Sequence, residues 1–95
     1  MADTDREARE RFAANVERLR RREGLSSVSL AERAGIDVRQ LEAILRADEE
    51  ADYGTIARLS GALGVGPADL LEGIRWIPPG EDERGRYAID EWGEE

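Results

Sequence analysis

The sequence predicts an all-α domain of five short helices, followed by a C-terminal arm that is either extended or folded as a β-hairpin. Apolar residues recur at the three- and four-residue spacing of amphipathic helices up to residue 73. Serine, threonine, aspartate and glycine stand at the ends of these segments, where helices are capped. At 95 residues the chain has the size of one compact domain. We therefore assign residues 1–73 to the helical domain and residues 74–95 to an acidic arm.

The first helix is predicted to begin at Thr4, because Thr4 and Glu7 fit a capping box that satisfies two backbone N–H groups. Its inner face carries Phe12, Val16 and Leu19. Arginines at 20–22 and then Gly24 mark its end, since cations suit the negative end of the helix dipole and glycine adopts a left-handed cap. These arginines either complement the dipole or reach a polyanion.

The second and third helices are short and are joined by a tight glycine turn. Ser26 or Ser27 caps the second helix, and Gly35 closes it. Asp37 caps the third helix, and Gln40 three residues later completes a second capping box. The buried side of the third helix is predicted to carry Leu41, Ile44 and Leu45.

The fourth and fifth helices complete the predicted core. Asp52 caps the fourth helix, Gly64 ends it, and Pro67 lies in the first turn of the fifth. The apolar positions of the two helices, which we expect to face the core, are Tyr53, Ile56, Leu59, Leu63, Leu70 and Leu71. The five helices should therefore share a single core.

The acidic arm has a different composition from the helical part. Prolines and glycines divide two short segments, and alternation around Tyr87 and Ile89 is typical of a strand. An isolated two-stranded hairpin is marginal in water, so such an arm should pack on the helices or on another copy of the chain. The residues expected at a dimer contact are Trp76, Ile77, Tyr87 and Ile89. The alternative is an acidic disordered tail, because the arm has seven acids against three arginines.

Composition excludes several classes of function. The chain has no cysteine and no histidine, so disulfides, thiolate metal sites and histidine-based catalysis are not expected. Paired carboxylates such as Glu49 and Glu50 fall on predicted loops, where nothing would keep one of them protonated and the other ionised. No apolar run approaches the roughly 20 residues that cross a bilayer. We expect a cytoplasmic protein that is not an enzyme and has no cofactor, metal or membrane partner.

Three ungapped pieces of sequence carry a family resemblance: Gly24-Leu25-Ser26, the run LAERAGI at 30–36, and Ala62-Leu63-Gly64-Val65 followed by Leu70-Leu71. With these pieces, residues 12–71 resemble the lambda-repressor and Cro type of helix-turn-helix domain, often called the Xre family. In that fold Ala31 must be small where two helices cross, and Gly35 makes the tight turn. The resemblance implies a five-helix domain that binds DNA and regulates transcription.

The resemblance also implies where DNA is contacted. The recognition helix, at about 37–46, would lie in the major groove, and a phosphate would meet the start of the second helix. The implied contact residues are Ser26, Ser27, Val38, Arg39, Gln40, Ala43 and Arg46. Arg39 suits guanine, Gln40 suits adenine, and Val38 or Ala43 suits a thymine methyl group. Alternatively, Arg39 and Arg46 are ordinary solvated charges and Gln40 only closes the capping box.

Three departures from the family pattern weaken the predicted DNA contact. Ser27 replaces a longer glutamine. Leu45 and Ala47 stand where the family has a glutamate and a glycine, so Arg20 loses its ion-pair partner, and apolar packing of Leu45 is the expected substitute. Acidic residues at 48, 49, 50 and 52, here called the acidic loop, oppose the phosphate backbone. With a net charge of −8, we expect moderate and salt-sensitive affinity.

Two functions from different classes remain. The first is a sequence-specific regulator, a small repressor that binds an inverted repeat in double-stranded DNA as a homodimer. The second is a protein-interaction module on the same scaffold, such as an antitoxin or anti-repressor, whose acidic arm covers a protein partner's basic surface. The acidic loop and arm favour the second function. Arg39, Gln40 and Arg46 on the groove-facing side of the recognition helix favour the first.

Overall fold

Five helices form the body of the protein in a computed structural model, which describes the backbone of residues 4–77 and 86–89 and the side chains of residues 5–74. The helices are α1 (Thr4–Arg22), α2 (Ser27–Ala34), α3 (Val38–Leu45), α4 (Tyr53–Leu63) and α5 (Pro67–Leu70). The prediction of five helices is confirmed. Thr4 is already helical, and its capping side chain lies outside the described side chains.

The predicted caps define most of the helix ends. The hydroxyl of Ser26 accepts from the N–H of Ser29, so Ser26, and not Ser27, caps α2. Gly35 closes α2 and Gly64 closes α4, both with left-handed backbone at φ of 74° and 71°. Asp52 caps α4 by accepting from the N–H of Thr55 at 2.8 Å. These interactions join residues three or four positions apart, which is why the sequence alone indicated them.

One continuous core joins all five helices. Its largest fully buried side chains come from every helix and are Val16, Leu30, Leu41, Ile44, Leu59 and Leu70. Tyr53 was expected to face this core, but this residue is 84% exposed. It is the first residue of α4, and the buried stripe of that helix begins two residues later, at Thr55 and Ile56.

A buried polar residue fixes α1 against the end of α5. Asn15 is 3% exposed, and its amide donates to the carbonyl oxygens of Leu70 at 2.8 Å and Glu72 at 3.0 Å. Its own oxygen accepts from Arg18 at 3.1 Å. The amide thus satisfies carbonyls that the short α5 leaves without helical partners.

Two short strands follow the helices: β1 (Ile74–Ile77) and β2 (Arg86–Ile89). They pair antiparallel, with Ile74 opposite Ile89 and Ile77 opposite Arg86, and β2 lies beside α1. The side chains of Trp76, Ile77, Tyr87 and Ile89, predicted to make a dimer contact, lie outside the described side chains. The dimer therefore stays a prediction. No helix in the described ranges is both long and apolar enough to span a bilayer.

Candidate nucleic-acid interface

Helix α3 has one buried face and one solvent face. Leu41 and Ile44 are 0% and 1% exposed, and Leu45 packs beside them at the edge of the core. Arg39, Glu42 and Arg46 are exposed at positions three and seven residues apart, which places them along one side of the helix. Burial therefore anchors α3 through its aliphatic side and leaves a charged side free for a partner.

The turn between α2 and α3 fixes the direction of α3. The N–H of Gly35 bonds to the carbonyls of Ala31 and Glu32, and Ile36 N–H donates to Ala31 at 3.0 Å. Ala31 is 1% exposed, consistent with the predicted need for a small side chain where the helices pack. Since Gly35 adopts a positive φ that costs other residues about 1–2 kcal/mol, the turn depends on this glycine.

The N-terminus of α3 differs from the predicted capping box. Asp37 accepts from the N–H of Arg39 at 2.7 Å, as a cap should. The Gln40 side chain makes no hydrogen bond to Asp37. Gln40 is half-buried, and its amide donates to the hydroxyl of Thr55 on α4 at a long 3.4 Å. The predicted box is wrong because α4 offers Gln40 an acceptor that α3 alone cannot show. Arg39 is therefore exposed, whereas Gln40 leans towards α4.

The two arginines of α3 differ electrostatically. Among the residues that the structure describes, the guanidinium of Arg39 has no acidic partner. Arg46 lies at the end of the helix, where its Nε atom is 3.1 Å from Oδ2 of Asp48. Both members of that pair are more than half exposed, so water and salt screen it. Arg39 is thus the freer cation of this surface.

The other predicted contact residues surround α3. Ser26 is exposed but already engaged as the cap of α2, and Ser27 is half-buried in the first turn. The first N–H groups of α2 have no partner within the helix, as at any helix N-terminus. Val38 and Ala43 are both half-buried, with Val38 packed against the core. Of the predicted contact residues, only Ser26, Arg39 and Arg46 are exposed, and the others are half-buried.

The acidic loop lies directly after α3. Ala47 turns the chain with a positive φ of 63°, at the place where the resemblance implied a glycine, and Arg9 on α1 donates to its carbonyl at 2.9 Å. Asp48, Glu49 and Glu50 are exposed. The pKa of Asp52 lies below its ordinary value, chiefly because the Thr55 N–H donates to its carboxylate. The loop therefore holds a negative potential beside the arginines of α3.

The absence of the family's glutamate suggested that Arg20 would have no ion-pair partner, but it has one. Its guanidinium forms hydrogen bonds to both carboxylate oxygens of Glu17 and donates to the Leu25 carbonyl at 2.5 Å. The same hydrogen bonds from Arg20 hold the pKa of Glu17 below its ordinary value. Leu45 packs against the core, as expected, and a carboxylate one turn earlier on α1 supplies Arg20 with a different ion-pair partner.

Glu42 belongs to this surface but was missing from the predicted set. It lies between Arg39 and Arg46 on the exposed side of α3. The signal was present in the sequence, since Glu42 follows Arg39 by three residues and so shares its face. The surface is therefore of mixed charge rather than purely basic.

Comparison with known proteins identifies the segment that forms this surface. Residues 16–70 match the family model HTH_3, described as Helix-turn-helix, which covers more than half of the chain and lies within the predicted range of 12–71. No curated protein matches the sequence. The family match spans α2, the glycine turn and α3, together with the helices that pack on them.

Solved structures of similar chains share the fold. The restriction-modification controller protein C.AhdI from Aeromonas hydrophila has a TM-score of 0.64 and 27% identity, over 65% of this chain and 94% of that one. The hypothetical transcription factor NHTF from Neisseria has a TM-score of 0.66 and 29% identity, over 75% and 84%. The clp gene regulator ClgR from Corynebacterium glutamicum has a TM-score of 0.65 and 28% identity, over 68% and 69%.

Proposed function

This chain belongs to the HTH_3 helix-turn-helix family, of the lambda-repressor-like type, and on that premise we propose that it is a DNA-binding transcriptional regulator that places α3 in the major groove. The observation that carries the proposal is the two-sided construction of α3. Its aliphatic side is sealed into the core, and Arg39 projects unpaired from the opposite side, beside the turn from α2. Three similar structures of regulators or controller proteins support the same reading.

The proposed contacts divide into positioning and reading. The free N–H groups at the start of α2, with Ser26 and Ser27, suit a phosphate and fix the register of the domain on the duplex. Arg39 suits the two acceptors of guanine, and Arg46 suits a base or a phosphate once Asp48 releases it. Val38 and Ala43 offer apolar contact to thymine methyl groups, and Gln40 reaches adenine only by leaving Thr55.

The finer proposal is a small repressor that binds an inverted repeat as a homodimer. Two recognition helices about 34 Å apart would then enter successive major grooves on one side of the duplex. We propose residues 74–95 as the arm that makes the dimer, through Trp76, Ile77, Tyr87 and Ile89. Sedimentation of the full chain tests this proposal: Trp76→Ala should shift it towards monomer, and an unchanged dimer would refute the assignment.

Fluorescence titration of the duplex upstream of the chain's own gene, against competitor DNA at low and moderate salt, tests DNA recognition. Arg39→Ala should remove about 1–3 kcal/mol of base discrimination if Arg39 reads guanine. Arg21→Ala is the matched control, because it removes an exposed arginine of α1 and should weaken all sequences alike or not at all. Equal base preference in wild type and Arg39→Ala would show that the assigned register is wrong.

A protein-interaction module is the second candidate, and the acidic loop favours it. Asp48, Glu49 and Glu50 are exposed beside α3, and Asp48 already forms an ion pair with Arg46. A basic protein surface would be attracted by this loop, whereas phosphates would be repelled. If the wild type shows no sequence preference at either salt concentration, this second candidate is favoured. The protein would then act as an antitoxin or an anti-repressor.

A further inference from the structure

Glu42 occupies the centre of the exposed side of α3 with its carboxylate unengaged. It lies three residues after Arg39 and four before Arg46, and within the described part of the chain it has no ion pair or side-chain hydrogen bond. The spacing to Arg46 is one at which helical ion pairs form. Arg46 pairs with Asp48 instead, so Glu42 remains an available acceptor in the middle of the surface.

The major groove offers a carboxylate few partners. An ionised carboxylate only accepts hydrogen bonds, and the donors in this groove are the exocyclic amino groups of cytosine and adenine. Guanine presents two acceptors there, and thymine presents an acceptor and a methyl group. A carboxylate brought against either would be desolvated without a partner, which is costly. In the groove, Glu42 would therefore favour bases that offer an amino group and also disfavour guanine and thymine, which would leave its carboxylate desolvated without a donor.

Building on the proposed function, we infer that Glu42 is a specificity-determining residue whose carboxylate accepts from the amino group of a cytosine. Cytosine is favoured over adenine because adenine places an acceptor, N7, next to its amino group. Three residues of helix rise about 4.5 Å, close to the roughly 3.4 Å between base pairs. Glu42 and Arg39 therefore read neighbouring base pairs, a cytosine beside a guanine, in each half-site.

The inference predicts an unusual pair of effects for one substitution. Glu42→Ala should weaken binding to the preferred site, since the contact to cytosine is lost. The same change should strengthen binding to sites with guanine or thymine at that position, because an unpaired anion no longer faces their acceptors. A residue with only a structural role would change affinity for all sites in the same direction. Glu42 is exposed, so its replacement should leave the core intact.

Selection of the full-length protein on a randomised duplex library, followed by titration of the selected site and its single-base variants, tests the inference. Discrimination for cytosine at one position should fall by about five-fold or more in Glu42→Ala, as expected for loss of a base-edge contact. Glu42→Gln should shift the preference at that position to adenine, which an amide binds through both N6 and N7. Glu32→Ala on α2 is the control, because it removes another exposed acidic residue from outside α3.

The outcomes separate this inference from the proposed function. If wild type selects no preferred sequence, the proposed function fails, and the inference fails with it. If wild type selects a site and Glu42→Ala keeps the same base preferences, the inference alone is overturned. It is also overturned if Glu32→Ala changes discrimination as much as Glu42→Ala, since net charge rather than position would then explain the effect.

Discussion

The Nε atom of Arg46, at the end of α3, lies 3.1 Å from Oδ2 of Asp48, the first acid of the loop that follows. The two side chains are 63% and 58% exposed, so the pair contributes at most about 1 kcal/mol to folding. Its effect on binding is larger in principle, because the same contact neutralises one of the two arginines on the charged side of α3. Asp48 thus competes with DNA for Arg46.

Asp48→Asn should tighten DNA binding, by about five-fold at low salt and less at moderate salt, because it frees Arg46 and removes one charge that repels phosphate. Affinity for the selected duplex at two salt concentrations measures this. Glu72→Gln is the matched control, since it breaks an exposed ion pair of 3.3 Å with Arg18 on α1. Equal affinity of the two variants would mean that the acidic loop does not oppose DNA.

Asn15→Leu should destabilise the fold by about 1–3 kcal/mol, because the buried carbonyl of Leu70 and the part-buried carbonyl of Glu72 lose their shared donor. Urea unfolding followed by circular dichroism measures the midpoint. Arg18→Ala serves as the control: it removes the outer part of the same network, one part-buried and one exposed hydrogen bond, and should cost about 1 kcal/mol or less. A larger loss of stability in Arg18→Ala than in Asn15→Leu would show that the Arg18 side chain, and not the Asn15 amide, contributes most to the network.

Replacement of glycine by alanine should have opposite effects at positions 35 and 61. An added Cβ atom meets no other heavy atom within 4 Å at either position, so only backbone conformation differs. Gly35→Ala should cost about 1–2 kcal/mol because φ is +74° there. Gly61→Ala, inside α4, should gain about 0.5–1 kcal/mol by reducing the entropy of the unfolded chain. Thermal unfolding of both variants checks the two signs, and a shared sign would contradict this account.

The ion pair between Glu17 and Arg20 should make stability depend on pH in the acid range. Hydrogen bonds from Arg20 lower the pKa of Glu17 below its ordinary value of 4.5. A lowered pKa means that the stabilisation is complete above 4.5 and disappears as the pH falls through the value in the folded protein. Wild type should therefore exceed Glu17→Gln in stability at neutral pH, with the difference shrinking below pH 4.5. If unfolding experiments give the same stability difference between wild type and Glu17→Gln at all these pH values, the ion pair is not the source of that difference.

The elements that the sequence predicted well depend on contacts within a few residues. Ser26 caps α2 through Ser29, and Asp52 caps α4 through Thr55, each three residues away. The left-handed glycines at 35 and 64 end helices for equally local reasons. Leu41 and Ile44 were assigned to the core from spacing alone, and both are buried. The family resemblance rested on the same local pattern and is confirmed by the match over residues 16–70.

The incorrect expectations all concern polar or terminal side chains whose surroundings come from elsewhere in the fold. Gln40 was expected to bond to Asp37, but an acceptor on α4 draws it away. Tyr53 was expected in the core, yet the buried stripe of α4 starts beyond it. Arg20 lacks the family's ion-pair partner at position 45, as expected, but Glu17 supplies another that was not foreseen from the sequence. A side chain with several available partners cannot be assigned from spacing, because packing decides which partner is near.

The sequence by itself determined the five helices, most of their caps and the aliphatic side of α3, since periodicity and capping are properties of neighbouring residues. Only the tertiary structure decided which polar groups of that surface are free. The bond of Gln40 to Thr55 joins residues 15 apart, and that of Asn15 to Leu70 joins residues 55 apart. Such pairs meet only after the core has set the helices against one another, and that assembly leaves Arg39 and Glu42 open to a partner.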